Sequence, residues 1–159
     1  MDFEIETLDD RHREWARRLL REHWAGPAVV TRGRLHQADA LPGFVAIAEG
    51  RPVGLLTYRI DGAECEVVTL DAVVQRQGVG TALLKAVWAQ AASAGCGRVW
   101  LITTNDNTPA LRFYQRQGFE LVAVHRNALA ESRKLKPEIP ETGLDGIPLR
   151  DEIELERKL

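Results

Sequence analysis

The chain is poor in sulfur: its 159 residues hold two cysteines and one methionine. Cys65 and Cys96 make no disulfide framework of the kind that staples small secreted domains, and they suit a reducing compartment. With His23, His36 and His125 they show no zinc-ligand spacing, so no metal site is expected. No apolar run reaches the ~18–20 residues that cross a bilayer. The opening Met1-Asp2-Phe3-Glu4-Ile5-Glu6 is acidic and alternating, without the basic start and apolar stretch of a secretion signal. A cytoplasmic protein with no membrane partner is therefore expected. An excess of one charge is also missing, since 21 Lys plus Arg against 23 Asp plus Glu leave −2. That argues against a chain that coats nucleic acid through a global positive field, and no nucleic-acid partner is expected. Internal repeats and low-complexity tracts are absent.

What is there is ordinary globular composition, 45% hydrophobic and 28% charged, over a length that fits one domain, residues 1–159. Phe3 to Thr7 alternates and reads as a strand. Asp9 and Asp10 are good caps for a helix carrying Trp15, Leu19, Leu20 and Trp24 at helical spacing, which Gly26-Pro27 ends. Ala28 to Leu41 has no clear pattern, and His36 reads there as an exposed loop residue. Phe44 to Ala48 and Val53 to Ile60 read as a hairpin, and after the Asp61-Gly62 turn a further strand runs from Glu64 to Val73. A helix with Leu83, Leu84, Val87, Trp88 and Ala91 on one face follows, capped by Gly95. Val99 to Thr103 is a short buried strand; Thr108 caps a helix with Pro109 at its first position, and Gly118 ends it. Phe119 to Val124 is a strand, the pattern loosens after His125, and Ile153 to Glu156 alternates again. Strands in a run and strands alternating with helices predict an α/β (mixed α+β) fold with a mixed central sheet and helices on its faces.

The segment with most chemistry is Gln75-Arg76-Gln77-Gly78-Val79-Gly80-Thr81, between a strand and a helix. Glycines there allow close backbone approach, and the unpaired N–H groups of a helix start form an anion site suited to pyrophosphate. A Walker loop is excluded because no Gly-Lys-Ser/Thr follows. A dinucleotide fingerprint fits poorly: Leu83 stands where the third glycine belongs, and the preceding strand is not the first of a βαβ unit. A loop holding the pyrophosphate of coenzyme A and a plain helix-opening turn both remain open on this segment alone.

A second segment, Asn107-x-x-Ala110-x-x-Phe113-Tyr114-x-x-x-Gly118-Phe119, joins the first in a recognisable order. Together they resemble the GNAT superfamily of acyl-CoA-dependent N-acetyltransferases. The likeness covers about Val53 to Val124 well, while Phe3 to Trp24 is compatible by pattern only. It implies a GNAT-like sheet of about six or seven strands with splayed central strands, and acetyl-CoA as cosubstrate. It implies that pantetheine lies along Val68, Leu70 and Ala72. The pyrophosphate would lie over Gln75, Arg76, Gln77, Gly78, Val79, Gly80 and Thr81, with Asn107 also touching the cofactor. Tyr114 matches the tyrosine that protonates the departing thiolate, and a glutamate on the central strand would deprotonate the acceptor amine. Glu66 is preferred over Glu64, the two sharing a face, with Asp71 on the opposite one. The activity implied is acetyl transfer to a primary amine by direct attack in a ternary complex.

Other readings stay open. Tyr114 also suits a core aromatic, Asn107 a turn former, and Glu64 and Glu66 solvated strand residues. Cys65 could carry an acyl group, although free cysteine is mostly a small buried hydrophobe. Arg32 and Arg34 flank Gly33 in the region that often shapes the acceptor site of the superfamily, where they would favour a carboxylate-bearing acceptor. The tail after Arg126 either covers the acceptor side or leads into the closing strand, and a homodimer through that last strand is the alternative to a monomer. A non-catalytic acyl-CoA-binding or regulatory module is the other functional reading. The acceptor itself is not legible.

Overall fold

In the computed structural model, which describes residues 1–159, strands drawn from both ends of the chain build one sheet. They are β1 (Glu4–Thr7), β4 (Gly43–Ala48), β5 (Arg51–Asp61), β6 (Glu64–Ala72), β7 (Arg98–Thr104), β8 (Glu120–His125) and β9 (Glu152–Lys158). Their spatial order is β1-β4-β5-β6-β7-β9-β8. Only β6 and β7 run parallel; the other neighbours are antiparallel. The expected mixed sheet is thus present, and none of its helices is long and apolar enough to cross a membrane. The last strand does not form an edge. It lies between β7 and β8, so it is closed to a second chain, and the edges are β1 and β8.

Helices cover both faces. On one, α2 (Val79–Ser93) buries Val79, Leu83, Leu84, Val87 and Ala91 against Leu56, Cys65, Val67, Val99 and Leu101. Fully burying one such aliphatic side chain contributes roughly 1.5–3 kcal/mol, so this face dominates stability. Gly54 lets α2 come close: a Cβ there would stand 2.5 Å from Val79 Cγ1. α3 (Thr108–Arg116) lies on the same side, with Leu111, Phe113 and Tyr114 against that core. Asn107, not Thr108, caps α3, since its side chain accepts from Ala110 N at 3.2 Å.

On the other face, α1 (Asp10–Trp24) packs Ala16, Leu19 and Leu20 over Leu55 and Val68. Asp9 caps it by accepting from Arg11 N at 3.0 Å. The patternless stretch is a two-stranded hairpin, β2 (Ala28–Thr31) and β3 (Arg34–Gln37). Its turn places Arg32 at φ 50° and Gly33 at φ 73°, and positive φ is rare for a residue such as arginine. The tail also carries a helix that the sequence pattern did not mark, α4 (Ala128–Leu135). Beyond it, Lys136 is buried and donates Nζ to Trp24 O and Ala28 O, tying the tail to the end of α1 and the start of the hairpin. The tail therefore both packs on the hairpin side and leads into β9.

Candidate active site

The site forms where β6 and β7 part. Their parallel register runs from Glu64↔Arg98 to Val67↔Leu101 and stops, although both strands continue. A cavity of about 270 Å³ opens in the gap, lined by Val68, Asp71, Thr103, Asn107 and Tyr114. Outside it lies a cleft of about 630 Å³, bounded by Gln75 to Thr81 and by Phe113 and Tyr114. The expected splay is present, and the two sequence segments meet across it.

The loop leaves the start of α2 uncapped towards the cleft. Arg76 at φ 58° and Gly78 at φ 78° turn the backbone so that α2 starts at Val79 with no side-chain cap. The first α2-type bond is donated by Ala82 N to Gly78 O at 3.0 Å. The N–H groups of Val79, Gly80 and Thr81 therefore have no helical acceptor, and the positive end of the helix dipole faces the cleft. Gly80 is needed for another reason: a Cβ there would stand 3.0 Å from Phe113 Cζ, the α3 side chain that walls the cleft. Gln75 is less committed, donating Nε2 to Ala72 O at 3.3 Å.

A bulge sets which side chains face which way. Thr57 pairs with Thr69 and Tyr58 with Val67, leaving Val68 unmatched on β6. One extra residue flips the alternation. Before it, Cys65 and Val67 face α2; after it, Leu70 and Ala72 do. Asp71 therefore lies on the same face as Glu66, contrary to strict alternation. Its carboxylate accepts from His23 Nδ1 at 2.9 Å and Trp24 Nε1 at 2.8 Å, which fastens the end of α1 to the splayed strand.

Glu66 sits two residues before Val68 and is only 3% exposed. Burial pushes its carboxyl from 4.5 up to about 7, against the pull of the Thr31 hydroxyl and Arg59. Glu64 stands elsewhere, at the exposed start of β6 in an ion pair with Arg98 Nε at 2.9 Å. Tyr114 packs edge-on against Phe113 and Phe119, at ring separations of 5.4 and 5.6 Å. Burial, and after it the Asp71 charge, pushes its phenol up, so the hydroxyl stays protonated in the cleft. The core reading of Tyr114 and its place in the cleft are thus compatible: the ring packs and the edge is open. Asn107 likewise both caps α3 and lines the gap.

Several residues fall outside this arrangement. Cys65 and Cys96 are free, buried in the α2-side core, and burial pushes the Cys65 thiol up to about 12. A thiol reagent at pH 8 is expected to modify neither until the protein unfolds, a point mass spectrometry settles. Arg32 gives its backbone N and its guanidinium to Glu152, each at 3.2 Å, rather than to a ligand. His36 is buried rather than exposed, with Nε2 2.7 Å from Thr31 Oγ1. Nothing in the sequence pattern marked Thr31 or Glu152 as site residues, and Asp71, set aside there for facing the other way, shares the face of Glu66.

Comparison with known proteins agrees with this geometry. The model of the acetyltransferase (GNAT) family matches residues 5–119, and the chain belongs to that family. It is 46% identical over 133 residues to the uncharacterized protein YdhI of Bacillus subtilis (strain 168), 83% of each chain being covered. Its fold resembles the IAA acetyltransferase from Bacillus cereus ATCC 14579, with TM-score 0.76 and 20% identity over 99% of this chain and 100% of that one. A GNAT family acetyltransferase from Elizabethkingia anophelis, solved with acetyl-CoA bound, gives TM-score 0.69 and 19% identity, covering 99% and 98%.

Proposed function

We propose that the protein moves an acetyl group from acetyl-CoA to a primary amine by direct attack. The observation that carries this reading is the parting of β6 and β7 beyond Val67 and Leu101, which opens a cavity beside the uncapped start of α2, with buried Glu66 on β6 just before the gap. Pyrophosphate would rest on the N–H groups of Val79 to Thr81. Pantetheine would run beside Ala72, Leu70 and Val68, whose edge groups have lost their β7 partner. An N–H of the bulged segment would stabilise charge developing on the thioester oxygen.

The chemistry balances on two side chains. Ionised Glu66 takes a proton from the amine, directly or through water; the nitrogen lone pair forms the C–N bond. The C–S bond then breaks, and Tyr114 gives its proton to the thiolate. With Glu66 near 7, the base goes from protonated to ionised across the neutral range, and turnover should rise with pH through about 7. The Glu64–Arg98 ion pair plays no part in this reading.

Calorimetry with acetyl-CoA tests the cofactor, with ATP and NAD as controls; selective acetyl-CoA binding is expected. Thiol release that requires an added primary amine tests the transfer. Binding without amine-dependent release would instead mark a binding module. Tyr114→Phe is expected to lower kcat by roughly 10²-fold while acetyl-CoA affinity stays within a few-fold. Unchanged turnover would remove the tyrosine from the reaction.

A further inference from the structure

The β2–β3 hairpin does more than cover the sheet. Thr31 Oγ1 donates to Glu66 Oε2 at 2.6 Å, and His36 Nε2 lies 2.7 Å from the same Oγ1. All three side chains are buried. While Glu66 is ionised it can only accept, so the threonine hydrogen goes to the carboxylate and the threonine oxygen accepts from His36, which places the imidazole proton on Nε2 in that state. The result is a chain of donors that ends on Glu66, each bond polarising the next. His36 Nε2 stays 3.7 Å from Glu66 Oε1, so that second oxygen is left without a close protein donor.

We propose that Thr31 and His36 are positioning residues for acetyl transfer: through Oε2 they hold the Glu66 carboxylate in one orientation and keep Oε1 free to take the acceptor's proton. The base is then assembled from two parts of the chain that only folding brings together. A second anchor keeps them in register. Arg32, in the hairpin turn, donates its backbone N and Nη1 to buried Glu152 on β9. That contact also partly neutralises a carboxylate whose charge raises the Glu66 pKa. The groups acting on Glu66 are thus Thr31, Arg34 and Arg59, which favour its anion, and Glu152, which opposes it. Burial holds His36 down to about 4, so it remains the neutral donor that the chain requires.

This inference rests on Glu66 being the base, and its test is separable from that reading. The probe is the Glu66 carboxyl itself, followed by side-chain ¹³C NMR between pH 4 and 9 in protein labelled at glutamate and assigned with Glu66→Gln. Thr31→Val removes the donor to Oε2, and a hydrogen bond to a charged group is worth enough to raise the midpoint by about one to two pH units. His36→Phe should move it in the same direction by less, and Thr31→Ser should restore the original titration. Amide spectra report whether each variant is folded. An unmoved midpoint in folded Thr31→Val and His36→Phe overturns the clamp, whatever Glu66 does. Full amine-dependent turnover by Glu66→Gln overturns the base while leaving the titration result to stand on its own.

Discussion

Glu66→Gln is expected to lower kcat by roughly 10²–10⁴-fold, the range a general base contributes, and to abolish the rise of turnover with pH. Acetyl-CoA affinity should change little, because the side chain faces Thr31 rather than the Gln75–Thr81 loop. The same substitution has a second expected effect, on stability. In the fold Glu66 holds its proton to about pH 7, in the unfolded chain only to 4.5. The folded state binds more protons in that window, so stability falls as pH rises through it, by about 3 kcal/mol in total. His36 works the other way: neutral down to about 4 in the fold but only to 6.5 when unfolded, it adds stability as pH rises through that window. In the wild type the two trends offset each other between 4.5 and 6.5. Glu66→Gln removes one of them. Thermal melts should therefore show a variant more stable than wild type at pH 8 and steeper in its acid limb. Equal melting temperatures at pH 8 would mean the carboxylate is better solvated than its burial indicates.

Gly78→Asp is expected to cost at least ~10²-fold in acetyl-CoA affinity. A Cβ at Gly78 meets nothing within 4 Å, so the new carboxylate projects freely beside the loop. Two unit charges about 5 Å apart at an effective dielectric near 20 repel by about 3 kcal/mol, which is two decades in a binding constant. Backbone strain confuses the result, because φ there is 78°. Gly78→Ala carries that strain, about 1 kcal/mol of stability, without the charge. Calorimetry on both variants separates the terms: a large loss for Asp with near-normal binding for Ala places the pyrophosphate at the α2 start. Similar losses in both would assign the effect to loop geometry. Gly80 is the poorer probe, since any side chain there must first displace Phe113.

Much of this was legible in the sequence for a physical reason. α1, α2 and the β4–β6 run have long periodic faces, and the glycine loop and Asn107–Phe119 segment carry their chemistry in local order. The misses are equally physical. β2 and β3 are four residues each, and their turn forces a positive φ on Arg32, so neither length nor turn chemistry announces them. The bulge at Val68 leaves no mark in residue type, yet it moves Asp71 to the face of Glu66. His36 looked solvated because its partners, Thr31 and Glu66, are joined only by tertiary structure.

The place of β9 has a consequence for how the chain reaches this state. β8 pairs only with β9, and β7 meets β6 on one side and β9 on the other. Until Glu152–Lys158 arrives, β7 and β8 present unpaired edges, one of them the exposed apolar run Leu121, Val122 and Val124. Sheet closure thus waits on contacts distant in sequence, which folds slowly and leaves templates open to neighbouring chains. A chain cut before Glu152 should aggregate during synthesis rather than accumulate as a weak enzyme, and crowding or heat shock should lower the soluble yield of the intact chain before it lowers specific activity.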